Sequence, residues 1–145
     1  MTHFDGEKIA KKTSLRNNEY YSTQEIFWKI LRYLRDNPVK SQTAEYNDNR
    51  ISLYSGQLGL CAITKLPLEI EEMEVHHKKP RSKGGTDEYK NLIYVNTYVH
   101  RLIHCTSENT EKRLMEKLKL TSEMIKKLIH YANYVVVKNW VKLKL

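Results

Sequence analysis

Residues 74–104 read EVHHKKPRSKGGTDEYKNLIYVNTYVHRLIH, and this stretch decides the fold. His100 and His104 lie four residues apart, so on a helix they project from one face, one turn apart. Two imidazoles at that spacing can chelate one cation. His76 and His77 are consecutive, so at a strand end they point to opposite faces. One of them can therefore face a metal while the other stays free of it, which is the division that a hydrolytic site needs.

Apolar patterning and turn residues predict the elements around these histidines. Strands are predicted at residues 60–63, 73–77 and 92–95, with an irregular connection at 65–72. Gly84 and Gly85 give backbone freedom to a basic loop at residues 80–86. A helix starts at Asn96 and Thr97 and runs through His104.

Amphipathic helices are predicted on both sides of this core. A capping box at residues 22–25 precedes an apolar stripe of Ile26, Ile30 and Leu34, and Pro38 stops the helix. Residues 1–20 are predicted to form a mobile arm. A polar linker at 39–49 is followed by a second predicted helix at about residues 49–57. After Ser107, Leu114 and Leu118 mark a third flanking helix, and Met124 and Leu128 mark a fourth, which Thr121 and Ser122 cap.

The chain of 145 residues carries a formal charge of +8, which favours an anionic partner such as nucleic acid. A merely basic protein is equally compatible with that composition. The charge is uneven, however: residues 76–104 hold six basic and two acidic side chains, whereas residues 51–75 have a net charge of −3. Positive charge therefore surrounds the histidines.

No run of 18 apolar residues occurs, so no membrane span or membrane partner is predicted. The polar start of the chain has no apolar signal region, and an intracellular, cytoplasmic protein is expected. The two cysteines, Cys61 and Cys105, are too far apart in sequence to indicate a disulfide framework or a zinc knuckle.

Several spaced motifs resemble the HNH endonuclease family, which has the ββα-metal fold. They are GLC at 59–61, EVHHKKP at 74–80, GGTD at 84–87, NLI at 91–93 and VHRLIH at 99–104. The likeness is strongest to the version at the C-terminus of bacterial group II intron-encoded reverse transcriptase/maturase proteins, and it covers about residues 49–104. It implies an α+β fold: a ββα-metal core at residues 49–106, preceded by an arm, helix and linker at 1–48 and followed by a helical extension at 107–145.

The resemblance also implies roles for the site residues. His76, His100 and His104 would be the metal ligands, as in the similar three-histidine set of colicin-type nucleases. His77 would be the general base, and Asn91 would hold the loop in shape and orient that base. Glu74 either hydrogen-bonds a site residue or simply faces solvent.

The implied activity is metal-dependent hydrolysis of DNA phosphodiester bonds, as nicking that serves group II intron mobility. The expected cofactor is one divalent ion, Mg²⁺ or Mn²⁺ in the active enzyme, although imidazole ligands could also take Zn²⁺ or Ni²⁺. The expected partner is DNA, together with group II intron RNA if a larger parent protein carries it, and the expected location is the bacterial nucleoid. The side chains expected to contact DNA phosphates are Lys78, Lys79, Arg81, Lys83 and Arg101.

The sequence departs from many HNH domains at the two cysteine pairs that bind a structural zinc. Cys61 remains, but Thr64, Asn96 and Val99 stand at the other three positions. One thiol cannot supply four zinc ligands, so no structural zinc is expected.

Two other functions are compatible with the same residues. The chain could be a nucleic-acid-binding module that keeps the fold and the basic loop without cutting. It could also be an interaction domain in which the histidines hold a purely structural metal, although no fourth ligand stands at an obvious position.

Overall fold

The computed structural model describes residues 23–131, and within them it has five α-helices and one two-stranded sheet. The elements are α1 (Thr23–Asp36), α2 (Ala44–Gly56), β1 (Met73–His77), β2 (Leu92–Asn96), α3 (Thr97–His104), α4 (Glu108–Leu118) and α5 (Ser122–Ile129). The predicted mobile arm and the first residue of the capping box, Ser22, lie outside the described residues. None of the helices described has the length and apolar character needed to cross a bilayer.

The centre of the fold is an antiparallel hairpin followed at once by a helix. β1 pairs with β2 in a register that places His76 opposite Ile93 and His77 opposite Leu92. The Asn96 side chain accepts a hydrogen bond from the Tyr98 amide and caps α3. α3 then packs on both strands. The predicted α+β class and the two strands of the ββα unit are confirmed.

The helix α1 packs on α2 and buries the predicted apolar stripe. Ile26, Ile30 and Leu34 are all buried in the core. α1 ends at Asp36, as the following Pro38 predicts. The guanidinium of Arg50 in α2 donates to the carbonyls of Leu34 and Asn37, which ties the end of α1 to α2.

The helix α2 begins earlier than predicted. The linker prediction for residues 39–49 was wrong beyond Thr43, because α2 starts at Ala44. The predicted boundary between the N-terminal region at 1–48 and the ββα-metal core at 49–106 therefore falls inside this helix. The Thr43 hydroxyl accepts from the Tyr46 amide and provides the cap. Asn49 donates from its side chain to the Asp87 carbonyl, so a polar first half of α2 is stabilised by contacts far along the chain.

The strand predicted at residues 60–63 was also wrong. Only an isolated bridge between Leu60 and Pro67 forms there. The chain reverses immediately afterwards: the Lys65 amide donates to the Cys61 carbonyl, and Lys65 itself has a φ of 60°. A segment that turns after two or three residues cannot build a ladder.

The two C-terminal helices in the described range were predicted correctly. Ser107 caps α4 and Thr121 caps α5 through hydrogen bonds from their side chains to backbone amides. Leu114 and Leu128 are buried in the same core as the ββα unit. These helices therefore cover the core beside α3.

Candidate functional site

Three histidines meet where β1 faces α3. His76 comes from the strand, and His100 and His104 come from one face of the helix. Each offers a ligand nitrogen, and these nitrogens all lie within 4.8 Å of one another. The rings of His100 and His104 are 4.7 Å apart between centroids, and each lies 5.3–5.4 Å from the ring of His76. The structure thus brings together the three side chains predicted as metal ligands.

The surroundings of His76 fit a metal ion. Its ring is buried, and neither Nδ1 nor Nε2 has a hydrogen-bond partner among residues 23–131. Burial, together with the neighbouring His100, His104 and His77, lowers the pKa of His76 to about 4, and burial also lowers the pKa of His104. Neutral imidazoles are the form that coordinates metal, and buried nitrogens normally have a partner. A divalent ion is a suitable partner for this donor set.

Glu74 contacts the cluster directly. Its carboxylate Oε1 lies 2.8 Å from His100 Nδ1, across from β1 to α3. A hydrogen on Nδ1 leaves the lone pair of Nε2 free for a metal. Carboxylates that hold ligand histidines in this way set the tautomer and the ring orientation. The hydrogen-bonding alternative for Glu74 is therefore the one that the structure contains.

His77 points to the opposite face of β1, as strand alternation predicts. Its Nε2 lies 2.8 Å from Oδ1 of Asp87, and its ring stacks on Tyr46 of α2 with centroids 6.1 Å apart. The side chain is largely buried, with 16% of its surface exposed. His77 thus has partners of its own and does not belong to the cluster of His76.

Asp87 is the site residue that sequence reasoning missed. Burial raises its pKa, but hydrogen bonds from His77, Arg81 and Thr43 lower the pKa to about 2. The ionised carboxylate can only accept hydrogen bonds. His77 therefore carries its hydrogen on Nε2, and the lone pair of Nδ1 is the one available to take a proton. The sequence did contain a signal for Asp87: it follows the glycine loop at residues 80–86 directly. Residues 76–104 have only one other acidic residue, Glu88.

Asn91 holds the loop between the strands. Its Oδ1 accepts from the Lys79 amide, and its Nδ2 donates to the carbonyls of Lys79 and Thr86. Among the described residues these bonds go to the loop backbone, and it is Asp87, not Asn91, that hydrogen-bonds His77. The predicted effect on loop shape fits this geometry, whereas any effect of Asn91 on His77 is indirect.

The glycines let this loop fold back on itself. Gly84 has a φ of +89°, which favours glycine. A Cβ at Gly85 would collide with the backbone carbonyl of Lys79. The close approach of Gly85 to Lys79 therefore requires the glycine. The loop that folds in this way places Asp87 next to His77.

The side chains predicted to contact DNA are all exposed, but they differ in whether they also bond other residues of the protein. Lys78, Lys79, Lys83 and Arg101 are exposed. Arg81 is also exposed, but its guanidinium bonds Asp87 Oδ1 at 2.8 Å and Gln42 Oε1 at 2.6 Å. Arg81 thus also has a structural part in holding Asp87.

Three of the four positions that resemble a zinc-binding set are buried, and the fourth, Asn96, is half-buried. Cys61 is buried, and its Sγ accepts from the amides of Thr64 at 3.5 Å and Asn96 at 3.4 Å. Val99 is fully buried at the start of α3. Backbone hydrogen bonds to one sulfur join the 61–64 turn to the end of β2.

Comparisons with known proteins give a family match over the part of the chain that contains the site. No curated protein and no solved structure matches the chain. Residues 60–105, about a third of the chain, match the family model of the HNH endonuclease.

Proposed function

We propose that this protein is a metal-dependent endonuclease that hydrolyses DNA phosphodiester bonds. The observation that carries the proposal is the separation of two histidine environments by one strand. His76 lies in a three-histidine cluster that suits a metal, while His77, next in sequence, is held by a carboxylate on the other face. The match of residues 60–105 to the HNH endonuclease supports the same activity.

In this proposal His76, His100 and His104 hold one divalent ion. When bound, that ion would supply positive charge to the scissile phosphate and to the oxygen that leaves. Glu74 fixes His100 through Nδ1. Mg²⁺ or Mn²⁺ is proposed for the working enzyme on the resemblance, and the imidazole donors also suit Zn²⁺ or Ni²⁺.

His77 acts as the general base. Asp87 accepts the hydrogen of Nε2 and holds the ring, so Nδ1 can take a proton from a water molecule. The water oxygen attacks phosphorus, the bond from phosphorus to the 3′ oxygen breaks, and that oxygen takes up a proton from solvent, to which His77 later releases the proton that it accepted. The products are a 5′-phosphate and a 3′-hydroxyl.

Exposed cations around the site bind the DNA backbone. Lys78, Lys79 and Lys83 lie on the loop, and Arg101 lies between two of the cluster histidines on α3. Such contacts position a duplex without reading its sequence. The likeness to group II intron-encoded proteins supports a role in intron mobility, in which the new 3′-hydroxyl would prime reverse transcription.

A plasmid assay tests the proposal. Supercoiled plasmid is incubated with the full chain and Mg²⁺, Mn²⁺, Ni²⁺ or Zn²⁺, with EDTA as the metal-free control. We expect metal-dependent nicks that DNA ligase can seal, because ligase needs a 5′-phosphate beside a 3′-hydroxyl.

Two variants assign the activity to the site. His77→Ala should abolish nicking and keep metal binding, whereas His130→Ala, which changes an exposed histidine outside the site, should nick normally. DNA binding without nicking under every metal would instead favour a non-catalytic binding module.

A further inference from the structure

The outer face of α1 carries a groove that the nuclease site does not use. Its volume is about 290 Å³, and its lining residues are Trp28, Leu31, Arg32, Arg35 and Ile51. The first four follow the i, i+3, i+4, i+7 spacing of one helix face, and they lie opposite the buried stripe of the same helix. Ile51 of α2 closes one side.

The aromatic part of this groove is exposed and held in place. Trp28 has 53% of its surface exposed, so much of its large aromatic ring is accessible to a ligand. Its ring forms a T-shaped contact with that of Phe27, with 5.3 Å between the centroids, and Phe27 stacks on Tyr54. Trp28 is thus a supported flat surface, open on the side of the groove.

The charged part of the groove is free to bind an anion. The guanidinium of Arg32 forms no hydrogen bond or ion pair with another residue in the described range. Arg35 pairs with its neighbour Asp36 at 3.0 Å, but both side chains are more than half exposed. An exposed pair of this kind contributes little free energy, so a phosphate can compete for Arg35.

We propose that this groove binds a single-stranded segment of nucleic acid. An unpaired base would stack on Trp28, and the phosphates beside it would contact Arg32 and Arg35. Aromatic platforms combined with cations are how proteins hold single strands without sequence preference. The inference rests on the proposed function in so far as the bound strand is taken to belong to the substrate.

The groove has a rigid connection to the nuclease site. Thr43, the cap of α2, donates from its hydroxyl to Asp87, and Ile51 of the same helix lies in the groove. Eight residues of helix separate these two positions by about 12 Å along the axis. A strand that leaves the nuclease site in this direction reaches the groove within a few nucleotides.

Fluorescence of Trp28 tests the groove directly. The chain has two tryptophans, so Trp140→Phe leaves Trp28 as the only one. This protein is titrated in EDTA with 12-nucleotide single strands of DNA and of RNA, while anisotropy of the labelled oligonucleotide reports binding. We expect saturable quenching of Trp28 that follows binding, and the DNA and RNA titrations show which backbone is preferred.

Charge-matched variants separate the groove from general attraction. Arg32→Ala with Arg35→Ala should weaken binding at least tenfold and lower the salt dependence by about 1.4 in the log–log slope. Trp28→Ala, followed by anisotropy alone, should weaken binding about 5- to 160-fold. Lys112→Ala with Arg113→Ala removes the same charge from the exposed side of α4 and should have a smaller effect.

Three outcomes would overturn the inference: binding without quenching of Trp28, equal losses in the two double variants, or equal quenching by an acidic peptide, which would make the partner a protein. Plasmid nicking by the same preparations is scored separately. Nicking without quenching would contradict strand binding at the groove and support the proposed nuclease activity. Quenching without nicking would support strand binding and contradict the nuclease activity.

Discussion

Nε2 of His77 and Oδ1 of Asp87 lie 2.8 Å apart, and both side chains are largely buried. The contact joins the end of β1 to the far end of the loop that follows it. It determines which nitrogen of His77 carries hydrogen, because Asp87 can only accept. Asp87 is therefore a positioning residue in the proposed reaction.

Asp87→Asn should lower kcat by at least tenfold. The loss should not exceed roughly 10⁴-fold, which is the rate enhancement that a general base can contribute. The amide keeps the size of the side chain but can donate to Nε2 and so stabilise the wrong tautomer. Nicking rates under saturating DNA measure the effect, and KM and metal affinity should change little. Thr43→Val, which removes the bond to Oδ2 and the cap bond from Tyr46 but keeps the contact of Asp87 with His77, should cost less activity. A wild-type rate for Asp87→Asn would remove Asp87 from the mechanism.

Asp87 should also make stability depend on pH. Its pKa of about 2 in the folded protein lies below the value of 3.8 expected for the unfolded chain. The carboxylate therefore stabilises the fold above about pH 4 by on the order of 2 kcal/mol, and this stabilisation is lost as the pH falls towards 2. Urea unfolding of the wild type and Asp87→Asn should show a difference at pH 5 that shrinks at pH 2.5. A difference that stays constant would contradict the assignment.

Glu74→Gln should weaken metal binding about 10- to 100-fold, because the bond to Nδ1 of His100 loses its charge. Competition with a chromogenic chelator, using Mn²⁺ and Zn²⁺, gives the affinity. The control is Glu72→Gln, which neutralises an exposed acid two residues earlier. If both variants bind metal alike, the contact of Glu74 with His100 has no part in metal affinity.

Asn91→Ala should reduce nicking by loosening the loop, since three hydrogen bonds to Lys79 and Thr86 disappear. Gly85→Ala should reproduce the loss without touching His77, because its Cβ would collide with Lys79. Ser82→Ala, at an exposed position of the same loop, should nick normally. Loss of activity in Asn91→Ala with full activity in Gly85→Ala would instead favour a direct effect of Asn91 on the base.

Cys61→Ala should lower the free energy of unfolding by about 1–3 kcal/mol, since the buried amide of Thr64 and the part-buried amide of Asn96 lose an acceptor. Urea titration measures this loss. Cys105→Ala changes another buried thiol in the same core and should cost less. Equal costs would mean that the hydrogen bonds to Sγ of Cys61 contribute little.

Local patterns predicted the part of the site that local geometry builds. The spacing of His100 and His104 and the alternation at His76 and His77 are properties of one helix and one strand, and the structure brings the three predicted ligands together. The strands at 73–77 and 92–95 and the caps at Asn96 and Thr121 depend on neighbouring residues in the same way. These features need no knowledge of the tertiary fold.

The features that were missed depend on contacts between distant residues. The polar start of α2 reads as a linker until Asn49 bonds Asp87, 38 residues later. The pairing of His77 with Asp87 depends on the path of a glycine loop, which no periodicity encodes. Residues 60–63 have the composition of a strand, but the turn at Lys65 leaves them a single bridge.

The pairing of β1 with β2 has a consequence for the chemistry. With His76 opposite Ile93, one imidazole enters the cluster and the next meets Asp87. A slip of one residue would exchange the two faces and bring His77 to the cluster and His76 to the carboxylate. A slip of two residues would return His76 and His77 to their own faces of the sheet, each displaced by two residues along the strand. The parity of the register thus separates ligand from base, and a single inserted residue in β1 would scramble the site even where the fold survived.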